Sequence, residues 1–159
     1  MLRMRLLLIA LVALSTAALA DPVDDQTVKI KNRDPEMAAA IERAQATLDD
    51  FLKLRANPPD GATGFKLKVR FSDPNGSEFM WVMPFEQTQT GFSGILADEP
   101  ERVTSIRNGQ TLTFARSDIA DWGYVQDGKQ KGSFTVCVLF KHMPEEEVQK
   151  YRRDYGFEC

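Results

Sequence analysis

From Phe65 onward the chain alternates apolar and polar positions. Phe65, Leu67, Val69 and Phe71 interleave with Lys66, Lys68 and Arg70, the period-two signature of a half-buried strand. Asp73-Pro74-Asn75-Gly76 is a turn, and Phe79 to Phe85 reads as a second strand ended by Pro84. Gly91 to Leu96 and Thr111 to Phe114 give two more, separated by Asp98-Glu99-Pro100 and Asn108-Gly109. Trp122, Tyr124 and Val125 resume the extended pattern, and Asp127-Gly128 marks a hairpin. Ser133 to Phe140 is apolar on both of its alternating faces, which predicts a central strand.

Two segments carry the helical period instead. Asp34-Pro35-Glu36 supplies an N-cap, a proline at the first helical position and an acid in the first turn. Met37, Ile41, Ala44, Leu48, Phe51 and Arg55 follow on one stripe, with Leu52 beside it, predicting one helix that stops at Asn57-Pro58-Pro59-Asp60-Gly61. The second helix begins after His142-Met143-Pro144. It has Glu145, Glu146 and Glu147 in its first turn, Lys150, Arg152 and Arg153 at its end, and Gly156 as its stop. The expected fold is α+β: an antiparallel meander of about five strands packed with an N-terminal amphipathic helix and a short C-terminal helix.

The start of the chain has a different character. Arg3 and Arg5 precede an unbroken apolar run from Leu6 to Leu14, and Ala18-Leu19-Ala20 has the small-x-small form of a signal-peptidase site. The run is shorter than the roughly 20 residues a membrane span needs. Residues 1–20 are therefore expected to be a signal peptide, residues 21–33 a flexible polar leader, and residues 34–159 a single domain. The product is expected in the periplasm or secreted, with no transmembrane anchor after cleavage.

Charge and cysteine content narrow the partners. The whole chain has a formal net charge of −3. Residues 1–20 hold two arginines and no acid, so their removal takes the charge to −5. An acidic domain is a poor match for nucleic acid. Cys137 and Cys159 are the only cysteines. In an oxidising compartment they form a disulfide candidate, tying the last residue to the expected central strand. Their spacing fits no zinc pattern, and no metal or cofactor is implied.

Several pieces of the chain together resemble the YegJ-type family of bacterial domains of unknown function. They are Ser77-Glu78-Phe79-Met80-Trp81-Val82, Gly94-Ile95-Leu96 with Glu99-Pro100, Asn108-Gly109-Gln110, Asp118-Ile119-Ala120-Asp121-Trp122 and Gly132-Ser133-Phe134-Thr135. Family members often carry Asn shortly before the proline corresponding to Pro100; this chain has Asp98-Glu99 there. The resemblance spans roughly residues 35–150 and implies one compact domain without assigning a catalytic residue.

The candidate chemistry is sparse. Asp118 and Asp121 are the most site-like pair: carboxylates three apart serve acid–base work or bind a cation, although capping of neighbouring backbone N–H groups accounts for them more simply. Trp81 and Trp122 offer aromatic platforms; Trp81, alternating with Phe79 and Met83, is expected in the core. His142, the single histidine, lies between two elements with no nucleophile motif beside it, as a cap or surface residue would. Lys66, Lys68 and Arg70 read as a solvated strand face. Glu78, Asp118, Asp121 and Trp122 remain as binding candidates. The reading that follows is an exported, non-catalytic domain that binds a protein or cell-envelope partner, for instance an inhibitor or immunity-type protein. The alternative is an envelope hydrolase using carboxylates near Asp118 and Asp121, together with Glu78.

Overall fold

A computed structural model describes residues 34–159. The expected signal peptide and leader lie outside the described residues. The described part is α+β. Its strands are β1 (Ala62–Asp73), β2 (Gly76–Gln87), β3 (Phe92–Leu96), β4 (Thr111–Phe114), β5 (Ile119–Gln126) and β6 (Lys129–Gly132). They form one antiparallel sheet in the order β4-β3-β2-β1-β5-β6. The helices are α1 (Pro35–Ala46), α2 (Leu48–Ala56), α3 (Phe134–Phe140) and α4 (Glu145–Tyr155).

The first helix begins as its sequence dictates. The Asp34 side chain accepts the Glu36 N–H at 2.8 Å, satisfying one orphan donor of the first turn. The single helix expected through Arg55 is broken at Thr47 into α1 and α2. The break has a tertiary cause. The Trp122 indole N–H donates to the Ala44 carbonyl at 3.0 Å and to Thr47 Oγ1 at 3.2 Å, diverting a carbonyl that the helix would use. The Thr47 hydroxyl in turn donates to the Arg43 carbonyl at 2.8 Å.

One face of the sheet meets these helices. Leu48 and Phe51 pack on Leu67, Val69, Met80, Val82, Phe85 and Ile119 to form the main core. Phe51 stacks on Trp122 with ring centroids 4.8 Å apart. The expected core face of β2 is therefore the wrong one. Met80 and Val82 point inward, whereas Phe79 and Met83 are among the most exposed large apolar side chains. Pro84 does not end β2. The β2–β3 ladder shifts register between Val82 and Phe85, so the residue without an N–H falls where the regular pairing is interrupted. The shift also swaps the facing parity and brings Phe85 into the core.

The central strand expected over Ser133 to Phe140 is instead helix α3. A short run of continuous apolar residues is ambiguous between a buried strand and a buried helix. The helix separates its side chains better: Phe134 and Val138 pack with Met37 and Ala40 of α1, while Val136 and Phe140 join Val148 and Phe157 in a second cluster. Ser133, at φ 54° and ψ 40°, turns the chain out of β6 and into this helix. The sixth strand, β6, is the return limb of the Asp127-Gly128 hairpin.

Cys137 and Cys159 are bonded, with Cα atoms 5.5 Å apart, so the disulfide anchors the C-terminus to α3 rather than to a strand. Gly156 ends α4 at φ 72°. A Cβ there would lie 2.0 Å from the Gly128 carbonyl oxygen, so glycine is also required for the close approach of the two segments. Among the described residues, no helix is long and apolar enough to cross a membrane.

Candidate functional site

The hairpin turn at Asp73–Gly76 fixes what meets on the second face of the sheet. Its register pairs Lys68 with Trp81 and Arg70 with Phe79. On the other side of β1, Lys68 pairs with Asp121 and Lys66 with Gly123. Directly opposed residues share a face. Lys66, Lys68, Arg70, Phe79, Trp81, Met83 and Asp121 therefore stand together on the face away from α2. The helical cluster of Val136, Phe140, Val148 and Phe157, with Met143 and Tyr151, covers this face as far as Trp81.

The lysines are not the solvated stripe expected from β1 alone. Lys66 Nζ lies 4.5 Å from the centre of the Trp81 ring and Lys68 Nζ 5.5 Å, so two ammonium groups share one indole. Burial pulls the Lys66 ammonium below its ordinary range, and the charges of Asp98 and Asp121 work against that pull. Lys68 Nζ donates to Thr135 Oγ1 at 3.2 Å. Only Arg70 reaches well into solvent, with 55% of its side chain exposed. Beyond Trp81 the face opens: Phe79, Met83 and Ile95 are 37%, 38% and 37% exposed.

The four residues singled out from the sequence are each engaged by the fold. Asp121 is fully buried. Its Oδ2 accepts the Thr135 N–H at 2.8 Å and the Thr135 hydroxyl at 2.7 Å, and its Oδ1 accepts the Trp122 N–H at 2.8 Å. Burial pushes the Asp121 carboxyl above its ordinary range, although the Thr135 bonds and the Lys68 charge oppose it. Trp122 lies on the opposite face of β5, stacked on Phe51. Asp118 sits in a 3₁₀ turn before β5, where it accepts the Ala115 N–H at 3.1 Å and lies 4.0 Å from Arg70. Glu78 pairs across the strands with Phe71, on the core-side face, which places it and Asp121 on opposite sides of the sheet. The structure thus brings Asp121 to the lysine–tryptophan cluster and leaves Glu78 apart from it.

Glu78 holds the long connection between β3 and β4. Its carboxylate accepts the backbone N–H groups of Glu101, Arg102 and Val103 at 3.1, 3.0 and 2.7 Å. Asp73 does the same for Thr104 and Ser105 at 2.8 and 3.1 Å. Charge-assisted bonds of this kind are the stronger class. Glu78→Ala is expected to lower unfolding free energy by about 2 kcal/mol. Urea titration measures that loss, and amide exchange should show faster exchange at residues 101–103 while β1 keeps its protection.

His142 is on the surface, with Nε2 3.4 Å from Asp34 Oδ2. Among the described residues, no three His, Cys, Asp or Glu side chains are grouped to hold a metal ion. The lysine–tryptophan cluster is the grouping that strand-by-strand reading missed. Its signal was present, since the hairpin turn sets the register that stacks Lys68 on Trp81.

Comparison with known proteins places this domain among bacterial relatives. The chain is 29% identical over 147 residues to the uncharacterized protein YegJ of Escherichia coli (strain K12), covering 92% of this chain and 94% of that protein. It is 28% identical over 81 residues to a Neisseria meningitidis serogroup B protein named "Putative ankyrin repeat protein", covering 51% of this chain and 32% of that protein. No solved structure matches. The model of the family described as "Uncharacterized protein conserved in bacteria (DUF2314)" matches residues 34–159, and the chain belongs to that family.

Proposed function

We propose that this chain is an exported, non-catalytic binding domain that takes a protein partner on the open half of its second sheet face. The single observation that carries the reading is the exposure of Phe79, Met83 and Ile95 beside the half-buried Trp81. Exposed large apolar side chains with polar neighbours are what an interaction surface offers. In this reading Asp121 and Glu78 support the face and its bordering loop, Trp122 braces the sheet from behind, and Asp118 with Arg70 forms the rim. Residues 1–20 direct export and are removed after Ala20, and the disulfide of Cys137 and Cys159 suits an oxidising compartment. The partial match to a longer protein named for ankyrin repeats fits an interaction role, because such repeats stack into extended binding surfaces.

A photo-crosslinking amino acid at position 83, in the full chain expressed in a bacterial host, tests this reading. The expected result is a saturable adduct with a discrete protein, its domain moiety beginning at Asp21. The same label at Gln149, on an exposed helix face, should give no such adduct. Equal labelling from both positions, or none from position 83, overturns the proposal.

A further inference from the structure

The two margins of the sheet are finished differently. At β6 the outer side is occupied: the Gln130 N–H donates to the Gly156 carbonyl at 2.9 Å, and Lys129 and Lys131 add charge to the strand. Where β2 runs past the end of β3, Asp98 accepts the Trp81 N–H and the Ala97 N–H donates to the Trp81 carbonyl. At β4 the margin is bare. The Leu96 N–H donates to the Gln110 carbonyl at 2.9 Å, so the bonded pairs of the β3–β4 ladder are Gly94 with Leu112 and Phe92 with Phe114. Thr111 and Thr113 therefore turn their N–H and C=O groups outward, away from β3. Among the described residues, no hydrogen bond reaches these outward groups. Both threonines are exposed. The strand holds no charge, proline or bulge, the devices that keep an edge from pairing.

We infer that this edge pairs with the same edge of a second copy of the chain, antiparallel about a twofold axis at Leu112. Thr111-Leu112-Thr113 reads the same in both directions. An axis at Leu112 sets Thr111 of each copy opposite Thr113 of the other. These are the outward-bonding positions, so each such pair exchanges both of its N–H···O=C bonds. Directly opposed threonines are also a favourable cross-strand pair. Residues 108–115 contain no acid or base, so the axis brings no like charges together although the chain carries −3. A contact of this kind is isologous: it uses up both edges and closes at two copies. An unrelated extended segment has no register built in to match these positions. The pairing stands without the binding role proposed above, and it leaves Phe79, Met83 and Ile95 of both copies uncovered on the same side of one continuous sheet.

Sedimentation velocity of the full chain, with its disulfide intact, tests the inference. Four residues a side is small beside the roughly 20–30 of a standard interface, so the dimer should form at about 10–100 µM and dissociate on dilution. Thr113→Pro removes an outward N–H and no bond to β3, so it should weaken association by about tenfold or more with an unchanged circular dichroism spectrum. Thr111→Lys together with Thr113→Lys sets like charges opposite each other and should abolish the dimer. Thr111→Lys together with Thr113→Glu sets opposite charges there and should restore it. A monomer at every concentration overturns the inference. So does a dimer that survives Thr113→Pro and is lost with Met83→Asp, which would seat the second copy on the apolar face. Equal association of the Lys/Lys and Lys/Glu variants overturns the register and the inference with it. A photo-crosslinker at position 113 that joins a different protein and never a second copy would assign the edge to another partner and overturn the inference too. None of these outcomes depends on the adduct at position 83.

Discussion

Replacing Asp121 with alanine is expected to cost about 3 kcal/mol of unfolding free energy. The substitution leaves the buried Thr135 N–H without its acceptor and removes the partner of the Thr135 hydroxyl and the Trp122 N–H. Each buried donor left unsatisfied costs about 1–3 kcal/mol. It also removes the carboxylate that faces Lys68 across the β1–β5 pair. Asp121→Asn should lose less, because one oxygen still accepts, but its amide NH₂ sets a donor against a donor that a carboxylate oxygen had accepted.

The same residue gives a pH dependence with a definite sign. Burial raises the Asp121 carboxyl in the folded state, so the folded chain binds its proton more readily than the unfolded chain does. Between the unfolded and folded values, stability therefore falls as pH rises and is recovered on acidification. The Asn variant lacks this titration. The stability gap between wild type and Asp121→Asn should widen as pH drops from neutrality toward the ordinary carboxylate range. Denaturant titrations across that range measure it. A gap that narrows on acidification would show that Lys68 and the Thr135 bonds, rather than burial, govern the carboxyl.

Opening the Cys137–Cys159 bond is the other large expected effect. The bond closes a loop with a sequence separation of 22, for which the chain-entropy account gives about 3 kcal/mol. The loss should be uneven. The C-terminal segment is tied to the rest by the Gln130 N–H to Gly156 carbonyl bond, the Lys129–Glu158 ion pair and the packing of Phe157 on Phe140 and Tyr151. Reduction, or the double Cys137→Ser and Cys159→Ser substitution, should raise amide exchange in α4 and around Phe157 before it touches the main core. Urea unfolding with and without reductant gives the magnitude. Intact mass after alkylation without reductant should show no free thiol, and two adducts would contradict the bond.

Patterning carried further for the sheet than for the segment after it. The Phe65–Phe71 alternation and the Asp73–Gly76 turn located β1 and the start of β2, because period-two burial and turn chemistry are local properties. Ser133 to Phe140 misled because its apolar residues satisfy both periods. Asp121 decides in favour of the helix by accepting the Thr135 N–H and hydroxyl at its first turn. The core parity of β2 misled for a related reason: both faces of Phe79–Met83 are apolar, and Met80 and Val82 face inward because they pair with the buried Val69 and Leu67, which is a property of a pair of strands.

The sequence by itself determined the class of the fold, the antiparallel hairpins, the capped start of α1, the glycine stop of α4 and the identity of the two cysteines that bond. Each depends on neighbours along the chain or on there being a single possible pair. The tertiary structure decided the break at Thr47, the helix at Phe134–Phe140, and the gathering of Lys66, Lys68, Trp81 and Asp121 on one face. Those depend on contacts between residues tens of positions apart, whose energies are settled only when the strands and helices meet.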